Sequence, residues 1–510
     1  MKWKKILLLV ANFNTTGYDF YDSAFPPLAL EYIAAYVEDL VEVIIIDSKA
    51  ANLNLLQVKK KIEQYKPDLV GLSVPVTSAI DLVLLHAKIA KLYGATTVIG
   101  GWHPTLAVEQ TLSSPWIDIL VRGEGEFTFR ELIEKGSPEN VDGLSYKKNG
   151  KIIHNPDRQF VKNLNELKLP SRNLVKDYNY KIFNMNCDAI ETSRGCPQAC
   201  KFCSTSVVYG RTWRARSVES VIRELEVVSK NKKVTDVFFV DDNILVNMSR
   251  VGRLCIEIVK GKRVGRIKKN LHFFFQGRLD SIAKRPRIVK LMAEAGFWLV
   301  LVGVEATDDK RLKSVDKGCS IDQIERGIKI LHKNGIIVMG NVILGTKLDD
   351  TLVDILTTIN RTGNLTLDLP SFTLLTPFPS TGFHKEIKEK GMLLTEEYKN
   401  YNWLTPVIKT NNFTPEVLKK LLFLGFYAVG FYAGNLRNKI TLFRRTVGAR
   451  GYYFSARPSR IYKTIISYLK WKKVVMNNLE GIKKKKLKQI RLGNLNQMAD
   501  LKTEIIKLMN

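Results

Sequence analysis

Cys196, Cys200 and Cys203 place three thiols within eight residues, in the spacing C-x3-C-x2-C, inside the stretch Ser193-Arg194-Gly195-Cys196-Pro197-Gln198-Ala199-Cys200-Lys201-Phe202-Cys203. Gly195 and Pro197 force an irregular loop. A structural zinc site closes with four ligands, and a simple electron-transfer cluster likewise takes four cysteines. Three thiols would leave one iron of a four-iron cluster without a protein ligand. The alternatives are a zinc or redox thiol site, or cysteines that meet by chance.

An ordered series of elements must hold that loop. Asp188–Thr192 reads as the strand that delivers it, followed by strands at Val237–Val240, Leu271–Phe275, Trp298–Val304, Val338–Leu344 and Ser371–Thr376. Helical patterns separate them at Val218–Ser229, Val251–Lys260, Pro286–Ala295, Ser320–Asn334 and Thr351–Gly363. Six strand-helix units over residues 185–395 give a parallel sheet curved into a partial (β/α)6 barrel, with its reactive face at the carboxyl ends of the strands. Those ends carry Asp241-Asp242-Asn243, Gln276-Gly277-Arg278, Glu305, Ile343-Leu344-Gly345 and Thr376-Pro377-Phe378-Pro379-Ser380-Thr381. Singly, Asp241–Asn243 could be a helix cap and Glu305 a salt-bridge partner.

Upstream, residues 1–135 alternate strands (Ile6–Val10, Val41–Ile46, Leu69–Val74, Thr97–Ile99, Ile117–Val121) with helices (Leu28–Glu38, Leu53–Tyr65, Ser78–Tyr93, Leu106–Ser113). This is the pattern of a doubly wound, Rossmann-like α/β domain whose ligand sits at the strand ends. The residues there are Asn14, Ser73, Gly100, Gly101, His103, Gly123 and Glu124. No G-x-G-x-x-G follows the first strand, which argues against a dinucleotide site. Residues 136–184 form a linker that contains a hairpin about Asn149-Gly150.

The cysteine spacing is the signature of the radical S-adenosylmethionine (SAM) enzymes. Pro26-Pro27-Leu28-Ala29-Leu30, Gly100-Gly101-Trp102-His103-Pro104-Thr105 and Arg122-Gly123-Glu124-Gly125-Glu126 resemble the cobalamin-binding domain that precedes the radical core in one large subfamily. The resemblance implies that Cys196, Cys200 and Cys203 hold a [4Fe–4S] cluster. It also implies that Phe202, Asp241, Asp242, Asn243, Gln276, Arg278, Glu305, Ile343 and Gly345 surround SAM. Cobalamin would be bound by Asn14, Ser73, Gly100, Gly101, His103, Gly123 and Glu124. The D-x-H-x-x-G motif that gives cobalt a histidine in other cobalamin enzymes is absent, so base-off binding without a histidine ligand is expected, with His103 as a packing residue. The alternative is a Rossmann-like domain that has lost its cofactor. By resemblance the activity is C-methylation of an unactivated carbon of a large apolar substrate, a lipid or tetrapyrrole. Ring closure or oxidation is the second reading, and a non-catalytic iron-sulfur protein at the membrane surface the third. A ferredoxin or flavodoxin would supply electrons.

Composition is that of an ordinary globular protein, 45% hydrophobic and 25% charged, with a net charge of +29. Six cysteines in 510 residues do not form a disulfide framework, which points to a reducing cytoplasm. The opening Met1–Val10 is too short and lacks the cleavage site of a signal peptide, so it reads as a first strand. In the helical, basic region 396–510, residues 435–510 hold 19 Lys or Arg against Glu480, Asp500 and Glu504. That region either caps the barrel or lies on an anionic membrane, peripheral to its inner face. Aromatic-basic interleaving also suits single-stranded nucleic acid, but no nucleic-acid motif accompanies it.

Overall fold

The computed structural model describes residues 2–13, 24–182, 185–432, 473 and 475–479. Two sheets organise the chain. The first runs through β1 (Lys5–Val10), β2 (Glu42–Asp47), β3 (Leu69–Val74), β4 (Thr96–Gly101), β5 (Ile119–Val121), β6 (Leu144–Lys148) and β7 (Lys151–His154), in the order β2-β1-β3-β4-β5-β6-β7. Its first five strands are parallel and nearly all apolar, because helices cover both faces. Leu28–Val37 and Glu126–Lys135 pack on one face, Leu55–Tyr65 and Ile80–Leu92 on the other. The chain order reverses between β1 and β3, which opens a crevice beyond their carboxyl ends.

The hairpin expected in the linker is present, with Asn149 (φ 52°) and Gly150 (φ 75°) supplying the two left-handed residues of its turn. It is no linker element, however, since β6 pairs antiparallel with β5 and extends the first sheet. The helix Glu126–Lys135 was not foreseen either.

The second sheet comprises β8 (Lys181–Ile182), β9 (Met185–Ile190), β12 (Asp236–Phe239), β13 (His272–Gly277), β14 (Phe297–Glu305), β15 (Ile337–Leu344) and β16 (Leu369–Leu374), in the order β16-β15-β14-β13-β12-β9-β8. A two-stranded ribbon, β10 (Ser193–Arg194) with β11 (Arg214–Ala215), brackets the cysteine loop. The six expected strands are parallel, and β8 adds a short antiparallel edge. The sheet does not close, so the barrel is partial. Its outer face buries Phe239, Phe273, Phe275 and Phe297 beneath helices that start at side-chain caps such as Ser217, Ser320 and Thr351.

Side-chain alternation turns the other residues inward. Phe238 and Phe274 stack at 4.7 Å, and Trp298 donates its indole N–H to Asp236 (3.1 Å), closing the barrel floor. Above that floor Val240, Gln276, Leu301, Asn341 and Ser371 are only half-buried, so the lumen stays accessible at the carboxyl ends.

The linker joins the two sheets through a buried set of charges. Arg172 pairs with Asp188 of β9 (3.1 Å) and Glu224 (2.6 Å), Arg216 also reaches Glu224, and the amide of Ser171 donates to the carbonyl of Glu31.

The helix Pro415–Gly425 lies in the region expected either to cap the barrel or to rest on a membrane. Leu418, Leu421, Leu422, Phe423 and Leu424 are spent inside the barrel's outer core, with Phe426 against Phe372 at 5.6 Å. Each such burial stabilises the fold by about 1.5–3 kcal/mol. No helix among the described residues is long and apolar enough to cross a membrane. Most of the basic stretch 435–510, with its aromatic-cation interleaving, lies outside the described residues.

Candidate active site

The cysteine loop is fixed from both sides before any thiol is placed. Asp241, at the end of β12, accepts from the Thr192 amide (3.2 Å), the Thr192 hydroxyl (2.7 Å) and the Ser193 hydroxyl, while Arg250 donates to the Thr192 carbonyl (2.9 Å). Gly195 has φ 83°, and a Cβ there would stand 2.3 Å from the Thr212 carbonyl oxygen, so only glycine fits. Its amide donates to Asp242 at 3.1 Å. On the far side the Lys201 amide donates to the Val315 carbonyl.

Cys200 is buried, Cys196 and Cys203 are half-buried, and all three are free thiols. Burial pushes each thiol up, and it is opposed by the positive charges of Lys317 and Arg278 at Cys200 and by Thr205 at Cys203. Three free thiols on a loop held at both ends, with Lys317 and Arg278 beside Cys200, fit a cluster that takes each thiolate on a different iron.

Beyond the loop, the other strand ends divide into two groups. Arg278 is held by Asp280 (2.9 Å) and donates to the Lys317 carbonyl (2.7 Å). Glu305 sits at φ 64°, beside a register shift at the end of β14, and its carboxylate folds over Gly303 to meet Lys317 at 2.8 Å. A non-glycine residue held at positive φ is strained, and such strain gathers at ligand sites. Phe202 and Ile343 share one apolar cluster with Leu375 and Phe383. Phe202 and Leu375, with Thr346 just beyond Gly345 (φ 71°), line a recess of about 560 Å³. The hydroxyls of Thr307 and Thr346 are buried without a protein partner. Gln276 lies half-buried on the lumen face.

Of the residues expected around SAM, two have their side chains bonded elsewhere. Asp241 is fully engaged beneath the cysteine loop, and Asn243 is buried with its side chain accepting the Leu245 amide as a helix cap. Asp242 alone of the three lines a cavity; burial first, then the neighbouring Asp241 charge, raises its carboxyl to about 6 against hydrogen bonds from Gly195 and Thr205. Lys317, which sequence reasoning missed, is buried between Glu305 and Cys200.

The crevice of the first sheet faces this loop across a cavity of about 340 Å³. Ser73, Gly100, Gly101, Gly123 and Glu124 line it from one side, and Glu191, Arg194, Tyr209 and Asp242 from the other. Gly101 has φ 104°, with the Val74 carbonyl oxygen 2.7 Å from where a Cβ would lie. At Gly123 (φ 66°) a Cβ would meet nothing within 4 Å, which marks backbone facing free space. A glycine-lined cavity beyond the carboxyl ends of these strands lies where ligands of doubly wound sheets bind. His103 does not belong to it. The ring is completely buried, bonded to Gln110 at 3.0 Å and packed against Tyr398, and burial lowers it to about 4. The residues from Gly100 on form no open loop but a strand end and the helical turn Trp102–Leu106, which carries His103 inward. Asn14 lies outside the described residues. Tyr209 stands edge-on to Trp102 at 6.0 Å, whereas Arg211 is exposed.

Comparison with known proteins agrees with both halves. Residues 190–359 match the radical SAM superfamily and residues 21–133 the B12 binding domain. An uncharacterized methyltransferase of Pyrococcus horikoshii is 33% identical over 437 residues, covering 84% of this chain and 93% of that one. The anaerobic magnesium-protoporphyrin IX monomethyl ester cyclase of Rubrivivax gelatinosus is 28% identical over 420 residues, covering 79% and 73%. Among solved structures, the radical SAM methyltransferase TsrM of Kitasatospora setae, with cobalamin and a [4Fe–4S] cluster bound, has a TM-score of 0.62 at 19% identity, covering 76% and 75%.

Proposed function

The chain belongs to the radical SAM enzymes that carry an N-terminal B12-binding domain, and on that premise we propose that it transfers a methyl group to an unactivated carbon of a large apolar molecule. One observation carries the reading: the glycine-lined crevice of the first sheet and the cysteine loop of the second share one cavity, with Asp242 both lining it and holding Gly195.

A [4Fe–4S] cluster, when bound, would supply the electron that cleaves SAM, and a corrinoid in the B12-binding domain would supply the methyl group. Cys196, Cys200 and Cys203 would hold the cluster. Lys317 and Arg278 present cations suited to the SAM carboxylate, and Glu305 an acceptor for its amino or hydroxyl groups. Phe202 and Leu375, backed by Ile343 and followed by the turn at Gly345, give the recess an apolar side suited to the adenine. Ser73, Gly100, Gly101, Gly123 and Glu124 would hold the corrinoid in the cavity they line. Val240, Leu301 and Leu369, above the Phe238-Phe274 floor, form a wall that excludes water from a substrate carbon. An apolar wall with Gln276, Asn341 and Thr373 as its polar spots suits a lipid or tetrapyrrole better than a charged metabolite.

Ring closure is the second reading, favoured by the similarity to the R. gelatinosus cyclase. A small reductant protein completes the cycle, and the basic C-terminal stretch provides peripheral contact with anionic membrane on the cytoplasmic side. The anaerobically reconstituted enzyme, supplied with hydroxocobalamin and with dithionite as reductant, is expected to release 5′-deoxyadenosine from SAM together with S-adenosylhomocysteine when given lipids extracted from cells lacking the gene. 5′-Deoxyadenosine without S-adenosylhomocysteine would replace methylation by cyclisation or oxidation, and neither product would refute the assignment.

A further inference from the structure

Between the two sheets one guanidinium carries three contacts. Arg194, immediately before Gly195 and Cys196, is 5% exposed. Its Nη1 donates to Glu124 at 2.9 Å, its Nη2 to Glu126 at 2.5 Å and its Nε to Glu191 at 2.7 Å. Glu124 and Glu126 come from the far side of the seam, at the loop after β5 and the start of the helix Glu126–Lys135. Arg214 of the ribbon holds the second oxygen of Glu124 at 3.0 Å, which also accepts the Val161 amide. Glu126 is different: its Oε2 is buried, has no protein partner, and belongs to a residue that is 5% exposed and lines the cavity between the sheets. An unpaired carboxylate oxygen in that position is costly unless a ligand donor completes it. The corrin rim carries carboxamide N–H groups of that kind.

We infer that Arg194 is a positioning residue that links the two cofactor sites, through the contact path from the corrinoid cavity by way of Glu126 to the residue preceding Cys196. A donor that takes Glu126 Oε2 fixes the carboxylate whose other oxygen holds Arg194, and Arg194 fixes the start of the cysteine loop. Filling either site then lowers the ordering cost of the other, and linkage requires the effect to be equal in both directions. This rests on the proposed cobalamin and SAM sites.

The test uses the full-length chain with its cluster reconstituted, hydroxocobalamin and SAM as probes. The dissociation constant of SAM is read from the EPR spectrum of the reduced cluster with and without saturating hydroxocobalamin. That of hydroxocobalamin is read from its visible spectrum with and without SAM. The wild type is expected to show the same factor, on the order of tenfold, both ways. R194Q is expected to bring it to within about twofold of one, R194K, which keeps the charge but loses the fork, to restore part of it, and E126Q to lose it with iron content unchanged. If R194Q assembles no cluster, E126Q decides. A wild-type factor of one, or full coupling retained in E126Q, overturns the inference while leaving both cofactor sites in place. Failure of the wild type to bind hydroxocobalamin at all removes the corrinoid reading itself.

Discussion

Glu31 gives the seam between the domains a pH dependence that can be measured. It lies on the helix Leu28–Val37, is 1% exposed, and its Oε2 has no hydrogen-bond partner. Burial raises its carboxyl from 4.5 to about 8, against the attraction of Arg172 and with added repulsion from Asp188 and Glu224. The folded chain thus keeps a proton that the unfolded chain releases. Stability from this group is full below about pH 4.5, falls as pH rises, and levels off above about pH 8. At 1.36 kcal/mol per tenfold change in proton activity, the span from pH 5 to pH 8 sets a ceiling of about 4 kcal/mol. Relaxation and water entry around the ionised group bring the expected value to about 2–3 kcal/mol. Glu31→Gln keeps the shape and cannot ionise. Urea unfolding of the cofactor-free chain, at intervals from pH 5 to pH 9, is expected to show the variant close to the wild type at pH 5 and more stable by that amount at pH 9. Titrating groups that do not interact with Glu31 cancel in the difference. A difference that stays flat across the range would refute the placement of a neutral acid at the seam.

Three further outcomes follow from the site. Cys200→Ala is expected to abolish both the reduced-cluster EPR signal and 5′-deoxyadenosine release. Gly101→Ala places a Cβ 2.7 Å from the Val74 carbonyl oxygen at φ 104°, a strain of about 1–3 kcal/mol, and should weaken cobalamin binding at least about tenfold in a spectral titration while SAM cleavage persists. Lys317→Met leaves Glu305 buried and unpaired, costing about 3–5 kcal/mol in unfolding measurements. Adding Glu305→Gln should restore stability but not SAM affinity, and restoration of both would remove the pair from the SAM site.

The order of elements was legible because apolar runs and helical periods alternate with little ambiguity: Pro286–Ala295 and Leu69–Val74 begin and end where the sequence pattern places them. Strand ends could therefore be found, and Ser73, Gly100, Gly101, Gly123, Glu124 and Asp242 do meet at one cavity. Direction was less legible. Asp241, Asp242 and Asn243 are consecutive, yet the pleat and the turn after β12 send Asp241 under the cysteine loop and Asn243 into a cap. His103 follows two cavity glycines, but the helical turn Trp102–Leu106 carries it inward. Lys317 belongs to no periodic pattern, and only the register shift at Glu305 brings a partner to it. The hairpin was identified from its turn chemistry, while its attachment to β5 depends on an edge that sequence does not display.

The second sheet leaves β16 and β8 unpaired with one another. In a closed barrel the circumference is dictated by strand number and stagger, and widening it means breaking a ladder of backbone hydrogen bonds. Here the aperture between the two margins is set by side chains and by whatever lies across them, so its width can change by substitution at a few positions while every ladder remains intact.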